Sequence, residues 1–262
     1  MAALQGVEET MLIPLSIKAN ETLRSNARIQ DKKAVEIVQK LQLDTTKYDK
    51  FMSHEGVVAR TILFDKAFNA ILKKIPNAAC ICIGCGLDAR FERVDNGQIL
   101  WYDLDLPNVI ALRKKYFQQA PRVFTIAKSV FDPSWTEEVE KGRPTIFMME
   151  GVLMYFTEEQ IRKLLNMLCE KFPKSIFLLE LSPPFLKKFG KHHDTVKNTT
   201  ATFQWGVETA KELEGYVKGL KLVQEKSFHC EMKKYSLRGK LFAALPFTKN
   251  LNNRLAIYQY KK

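Results

Sequence analysis

The stretch ICIGCGLDARFERV, residues 81–94, begins as an apolar run and breaks into a glycine turn. A short apolar run bounded by glycines reads as a buried strand, and the turn as a handover to a helix. Such a junction is where open α/β sheets hold their ligands. Gly84-Cys85-Gly86-Leu87-Asp88-Ala89 satisfies the pattern G-x-G-x-x-G/A, and Asp105 follows Gly86 by 19 residues. Glycines let the backbone turn tightly and approach a bound molecule, while a carboxylate at that distance suits ribose hydroxyls.

Working outward, the chain alternates short β-rich runs with helical patterns. ACICI (79–83), QILWYDL (98–104), RVFTIA (122–127), TIFMM (145–149) and SIFLLEL (175–181) read as strands. NVIALRKKYF (108–117) and EEQIRKLLNMLCEKF (158–172) read as helices, the second with Ile161, Leu164, Leu165 and Leu168 on one stripe. A further helix is expected over 209–220, then strands at 221–228 and 254–260. Before the glycine loop, AVEIVQKL (34–41) and the longer run 55–75 are helical in pattern. The expected fold is α/β, a doubly wound parallel sheet, in one domain over 1–262. A helical N-terminal extension (1–77) precedes a Rossmann-like core (78–262).

Composition narrows the class. The chain has 262 residues, 46% of them hydrophobic, which is enough to bury a full core. No apolar run approaches the ~20 residues of a membrane helix, so no membrane partner is expected. The N-terminus lacks the basic start and apolar segment of a signal peptide, and the expected location is cytoplasmic. Five cysteines, an odd number, indicate reduced thiols. Cys82 and Cys85 make a C-x-x-C without a second pair, so no metal is expected. The net charge of +12 comes from scattered lysines and arginines without aromatic interleaving, and nucleic acid is not the expected partner.

Two cofactors fit the glycine loop taken alone: a nicotinamide dinucleotide and S-adenosylmethionine. The fourth strand tilts the choice. TIFMM runs into EGVLMYFTEEQ (150–160), where Thr157 and Gln160 form a capping box for the next helix. Glu150 to Tyr155 therefore sit in the crevice at the carboxyl end of a strand. A carboxylate there needs a partner, and the ammonium of a methionine moiety provides one.

GCGLDARFERV, WYDLDLPNVIALRKKYF, SVFDPSW and EGVLMYFTEEQI, in this order, resemble the leucine carboxyl methyltransferase superfamily, most of all its bacterial polyketide O-methyltransferase branch. ETMLIPLSIKANET and FQWGVETAKELEGY extend the resemblance over most of the chain. It implies a class I methyltransferase fold, a seven-stranded sheet with its last strand antiparallel, and S-adenosylmethionine as cofactor. By the same resemblance Arg60 holds the cofactor's carboxylate and Lys18 reaches over it from the N-terminal segment. Gly84 and Gly86 line methionine and ribose, with Asp105 and Leu106 at the ribose. Ser129 and Val130 flank adenine, and Glu150 and Gly151 lie near the amino group. Many members carry Asp-Leu where this chain has Ser129-Val130, and Asp132 is the alternative acid for that contact.

In methyl transfer the sulfonium carries the reactive carbon and the protein positions donor and acceptor. A carboxylate acceptor is already ionised at pH 7, whereas a phenol calls for a base. Tyr155, His192 and His193 are the candidates for that base. The acceptor lid is expected from the helical N-terminus (1–77) together with 182–205, whose Phe185, Phe189, Phe203 and Trp205 suit an aromatic ligand. The expected activity is O-methylation of a small aromatic or polyketide-like carboxylate or hydroxyl. Alternatives are a protein C-terminal carboxyl methyltransferase, an NAD(P)-dependent oxidoreductase, an RNA-binding protein and a scaffold without chemistry.

Overall fold

The structure, a computed structural model, describes residues 6–189, 202–232, 240 and 252–262. Its centre is a seven-stranded sheet of β1 (Ala79–Ile83), β2 (Leu100–Asp105), β3 (Val123–Ala127), β4 (Thr145–Met149), β5 (Lys174–Leu181), β6 (Lys221–Ser227) and β7 (Arg254–Lys261). The order is β3-β2-β1-β4-β5-β7-β6. The first five strands are parallel, and β7 runs antiparallel between β5 and β6. This is the class I methyltransferase arrangement expected from the resemblance. Sequence order reverses at β1 and β4, which opens a crevice at their carboxyl ends.

The inner strands are buried on both faces, which is why they read as continuous apolar runs. In β1, Ala79, Ile81 and Ile83 join a cluster with Phe147, Leu165 and Phe177. Cys80 and Cys82 point the other way, to Trp101, Phe64 and Phe68. Phe64, Phe68 and Leu72 recur at i, i+4, i+8 along the helix Phe51–Leu72 and lay it on that second face.

The helices are α1 (Leu12–Thr22), α2 (Lys32–Leu41), α3 (Phe51–Leu72), α4 (Arg90–Val94), α5 (Pro107–Arg113), α6 (Glu158–Lys171), α7 (Phe185–Phe189) and α8 (His229–Met232). None of the described helices is long and apolar enough to cross a membrane. The capping box of α6 is formed, with Gln160 N donating to Thr157 Oγ1 and Thr157 N to Gln160 Oε1. Thr157→Ala should cost about 1 kcal/mol in denaturant unfolding, while Thr157→Ser should hold near wild type.

The helix expected over 209–220 is the exception. Only a six-residue 3-10 helix forms, Ala210–Gly215. Gly215 ends it, and Gly219 adopts a positive φ of 92° that no helix accommodates. Its apolar residues Ala210 and Leu213 still pack into the core.

α1 and α2 lie over the glycine loop, with Leu12, Leu15, Ala19, Ala34 and Ile37 enclosing Leu87. A buried ionic cluster fastens this layer to α3. Arg28 binds Glu21 at 2.8 Å and Glu55 at 2.7 Å, and His54 joins Glu21 to Asp49. Burial opposes ionisation of Glu21, but hydrogen bonds from His54 and Arg28 outweigh it and hold its carboxyl well below the usual range. The stability it contributes is present above about pH 4 and is lost as pH falls toward the depressed folded value.

Candidate active site

β1 ends at Ile83, and the next residues turn under the carboxyl end of β2. Gly84 N donates to Leu104 O at 2.8 Å, and Gly84 and Gly86 adopt φ of 69° and 49°. A Cβ on Gly84 would sit 2.4 Å from Val152 Cγ2. Both the turn and the close approach therefore require glycine there. Gly84→Ala should lower stability by about 1–3 kcal/mol, from the left-handed conformation plus the clash. Adding Val152→Ala should restore only the clash part, which thermal unfolding of the single and double variants separates.

Asp105, the last residue of β2, accepts from Gly86 N and Leu106 N, each at 2.8 Å. Arg113 braces the loop from beneath. It donates to Gly86 O at 3.1 Å and Asp88 O at 2.8 Å while paired with Asp103 at 2.8 Å. Burial pushes the Cys82 and Cys85 thiols well above their ordinary value, so both are neutral packing groups.

A charged wall rises from this floor. Arg60, from α3, places Nε 2.8 Å from Glu150 Oε1 and Nη1 3.1 Å from Glu180 Oε2. Glu180 also accepts from Gly151 N at 2.7 Å and Asn253 Nδ2 at 2.6 Å. Arg90, fully buried, pairs with Glu150, Asp65 and Asp88. Lys18 reaches from α1 to Asp88 at 2.7 Å. Burial opposes ionisation of Asp88, but Lys18, Arg93 and Arg90 outweigh it and hold its carboxyl well below the usual range.

These groups border one cavity of about 810 Å³ at the carboxyl ends of the strands. Lys18, Arg60, Gly84, Gly86, Asp105, Leu106, Ser129, Val130, Glu150 and Gly151 all line it, as does Tyr155. His192 and His193 lie outside the described residues. Asp132 does not line the cavity. It is exposed and caps a 3-10 helix by accepting from Ser134 N at 3.0 Å, so Ser129 stands at the wall without it. Trp205, expected in the lid, is a core residue whose Nε1 donates to Tyr216 Oη at 3.3 Å. The Phe189 side chain is also outside the described set.

The donors and acceptors fit S-adenosylmethionine. A glycine turn gives a close backbone approach, and Asp105 offers a carboxylate at the lip for ribose hydroxyls. Arg60 offers a guanidinium for a carboxylate, and Glu150 and Glu180 offer carboxylates for an ammonium. Residues 17–169, more than half of the chain, match the family model "Leucine carboxyl methyltransferase".

The chain belongs to the leucine carboxyl methyltransferase family.

It is similar to the tetracenomycin polyketide synthesis O-methyltransferase TcmP of Streptomyces glaucescens, 27% identical over 85% of this chain and 83% of that one. It is also similar to the S-adenosyl-L-methionine-dependent methyltransferase dpfgK of Gibberella zeae, 26% identical over 83% of this chain and 81% of that one. Among solved structures, a DUF574 family protein from Streptomyces avermitilis shares the fold with a TM-score of 0.59 at 14% identity, covering 95% of this chain and 97% of that one. Magnesium protoporphyrin IX methyltransferase from Synechocystis, solved with bound SAH, gives 0.51 at 13% identity over 88% of this chain and 100% of that one. The chain is an S-adenosylmethionine-dependent methyltransferase, and the oxidoreductase alternative falls with that assignment.

Sequence reasoning missed Glu180, Arg90 and Asp88 as parts of this methyltransferase's cavity network. The signal for Glu180 was present: a lone acid inside the apolar run SIFLLEL has to be paired.

Proposed function

We propose that this enzyme methylates the carboxylate of a small aromatic or polyketide-like acid. One observation carries the choice. Beyond the charged wall the cavity is lined by Tyr155, Phe185, Leu186, Phe203 and Phe228. Tyr155 stands against Phe203, with centroids 5.5 Å apart, and burial pushes its phenol above the ordinary value. A phenol held protonated donates a hydrogen bond and does not act as a base at neutral pH. The chamber therefore suits an acceptor that arrives already ionised. The polyketide-related name of the Streptomyces relative supports a polyketide-like body for the acceptor.

In this reading Arg60 binds the cofactor's carboxylate and Glu150, beside Gly151, binds its ammonium. The backbone at Gly84 and Gly86 follows the methionine and ribose, and Asp105 takes the ribose hydroxyls next to Leu106. Ser129 and Val130 flank the adenine. Lys18, with 1–77 acting as a lid on the 78–262 core, closes the site. When bound, S-adenosylmethionine would supply a sulfonium methyl group, and an acceptor carboxylate, already ionised, would ask the chain for no base. The aromatic side chains exclude water and hold the acceptor's flat body in line.

With an aromatic acid, kcat/KM should be flat from pH 6 to 9. The acceptor is ionised throughout, and Tyr155 needs to lose no proton. A rate climbing toward the pKa of a phenol, near ~10, would move the acceptor to hydroxyls. The direct test is turnover of a panel: fused-ring aromatic acids, the matching phenols and a peptide ending in leucine. Base-labile methyl esters of the acids are the expected products. Turnover of the peptide alone would replace this reading with protein carboxyl methylation.

A further inference from the structure

α3 turns Ser53, Gly56, Val57 and Arg60 toward the cavity, a spacing of i, i+3, i+4, i+7 that makes one helix face. At 1.5 Å per residue, Ser53 lies roughly 10 Å along the axis from Arg60. A hydroxyl in the body of a helix can bond back to the carbonyl four residues earlier, as Thr61 does to Val57 O at 2.9 Å; for Ser53, in the first turn of α3, that carbonyl belongs to Asp49, ahead of the helix. Ser53 makes no such bond. Its residue is 7% exposed, and its Oγ is buried without a hydrogen-bond partner.

A second such group borders the same cavity. Asn252 Nδ2 is buried and unpartnered. Its neighbour Asn253 donates to Glu180, which in turn binds Arg60, so the stretch is anchored beside α3. Phe228 N donates to Asn253 O at 3.0 Å, which sets an aromatic lining residue against the same stretch. Folded proteins leave few buried polar atoms unpaired, and those that persist ask for a reason. Here, apart from Arg60 Nε, which is ion-paired with Glu150, two of them occur in residues that border one largely apolar chamber.

We propose that Ser53 and Asn252 recognise the methyl acceptor. The Ser53 hydroxyl and the Asn252 amide hydrogen-bond the acceptor's carboxylate, one oxygen held and the other left for the methyl group. This rests on the acid-acceptor reading above. Neither residue takes part in cofactor binding, and each gains its missing partner only when an acceptor is seated.

The test uses the full-length protein saturated with S-adenosylhomocysteine and titrated calorimetrically with 2-naphthoate or with the neutral 2-acetonaphthone. Asn252→Asp should weaken naphthoate at least tenfold, by charge repulsion, and change acetonaphthone less than threefold. Ser53→Ala should weaken naphthoate three- to tenfold. It should not lower the melting temperature, since the hydroxyl it removes bonds to nothing. Affinity for S-adenosylhomocysteine should be unchanged in both variants. Naphthoate binding at wild-type strength in both variants, or equal losses for the two ligands, overturns the assignment while leaving the acid reading intact. A wild-type protein that neither binds nor methylates acids, yet turns over phenols, overturns both.

Discussion

Replacing Arg90 by methionine is expected to reduce the free energy of unfolding by about 3–5 kcal/mol, and the melting temperature by roughly 10 °C. The guanidinium has no exposure to solvent and sits among three carboxylates, Asp65, Asp88 and Glu150. Methionine fills much of the volume but removes the charge, so those acids would face one another with fewer counter-ions. A buried ion pair adds little over an apolar substitute when both partners are replaced together. Removing one partner alone leaves buried charge uncompensated, and that is the costly case. The loss should also be pH-dependent. Asp88, whose carboxyl Arg90 helps to hold below the usual range, would take up a proton more readily without it, so the gap to wild type should narrow as pH falls from 7 toward about 4. Urea unfolding at both pH values measures this. A loss below about 1 kcal/mol would show that Lys18, Arg93 and Arg60 carry the cluster without Arg90.

Asp105→Ala should weaken S-adenosylhomocysteine binding by about 1–3 kcal/mol, roughly 5- to 150-fold. Two effects combine. The carboxylate proposed to hold the ribose hydroxyls is gone, and Gly86 N and Leu106 N lose the acceptor that shapes the turn. Asp105→Asn keeps a carbonyl oxygen for one of those amides and should fall between wild type and alanine. Calorimetric titration distinguishes the three proteins. Equal affinity in all of them would assign the ribose to another residue.

Much of this architecture was legible in the sequence, for identifiable reasons. β1 and β4 match the expected runs residue for residue because buried parallel strands leave an unbroken apolar signature. The capping box of α6 was readable because its hydrogen bonds are local. Gly84, Gly86, Asp105, Leu106, Ser129, Val130, Glu150 and Gly151 were recoverable because they follow strand ends, where topology sends them to the crevice, whereas Lys18 and Arg60 stand on helices and were expected only from the family resemblance. Pairing between distant segments was not readable. Lys18 and Asp88 lie 70 residues apart, and Arg60 and Glu180 lie 120 apart. No periodicity marks such partners; only the cost of burying a lone charge shows that one must exist. Asp132 misled because an acid three residues from the expected position looks equivalent in one dimension, yet its backbone has already turned to cap a helix. The stretch 209–220 misled because its apolar spacing suits a helix, while Gly219 holds a backbone conformation that stops one.

The antiparallel β7 has a consequence for the order in which this molecule is made. Arg254 pairs with Leu181 at the cavity end of β5, and Lys261 with Lys174 at the opposite end. Asn253, just before β7, supplies one of the bonds on Glu180. The first five strands can leave the ribosome, and the glycine turn can form, while β5 is still an edge. The wall carrying Glu180 closes only once the last strand has been synthesised and has slid in beside it. A nascent chain halted before residue 252 would lack the Asn253 bond on Glu180 and leave β5 without its antiparallel neighbour.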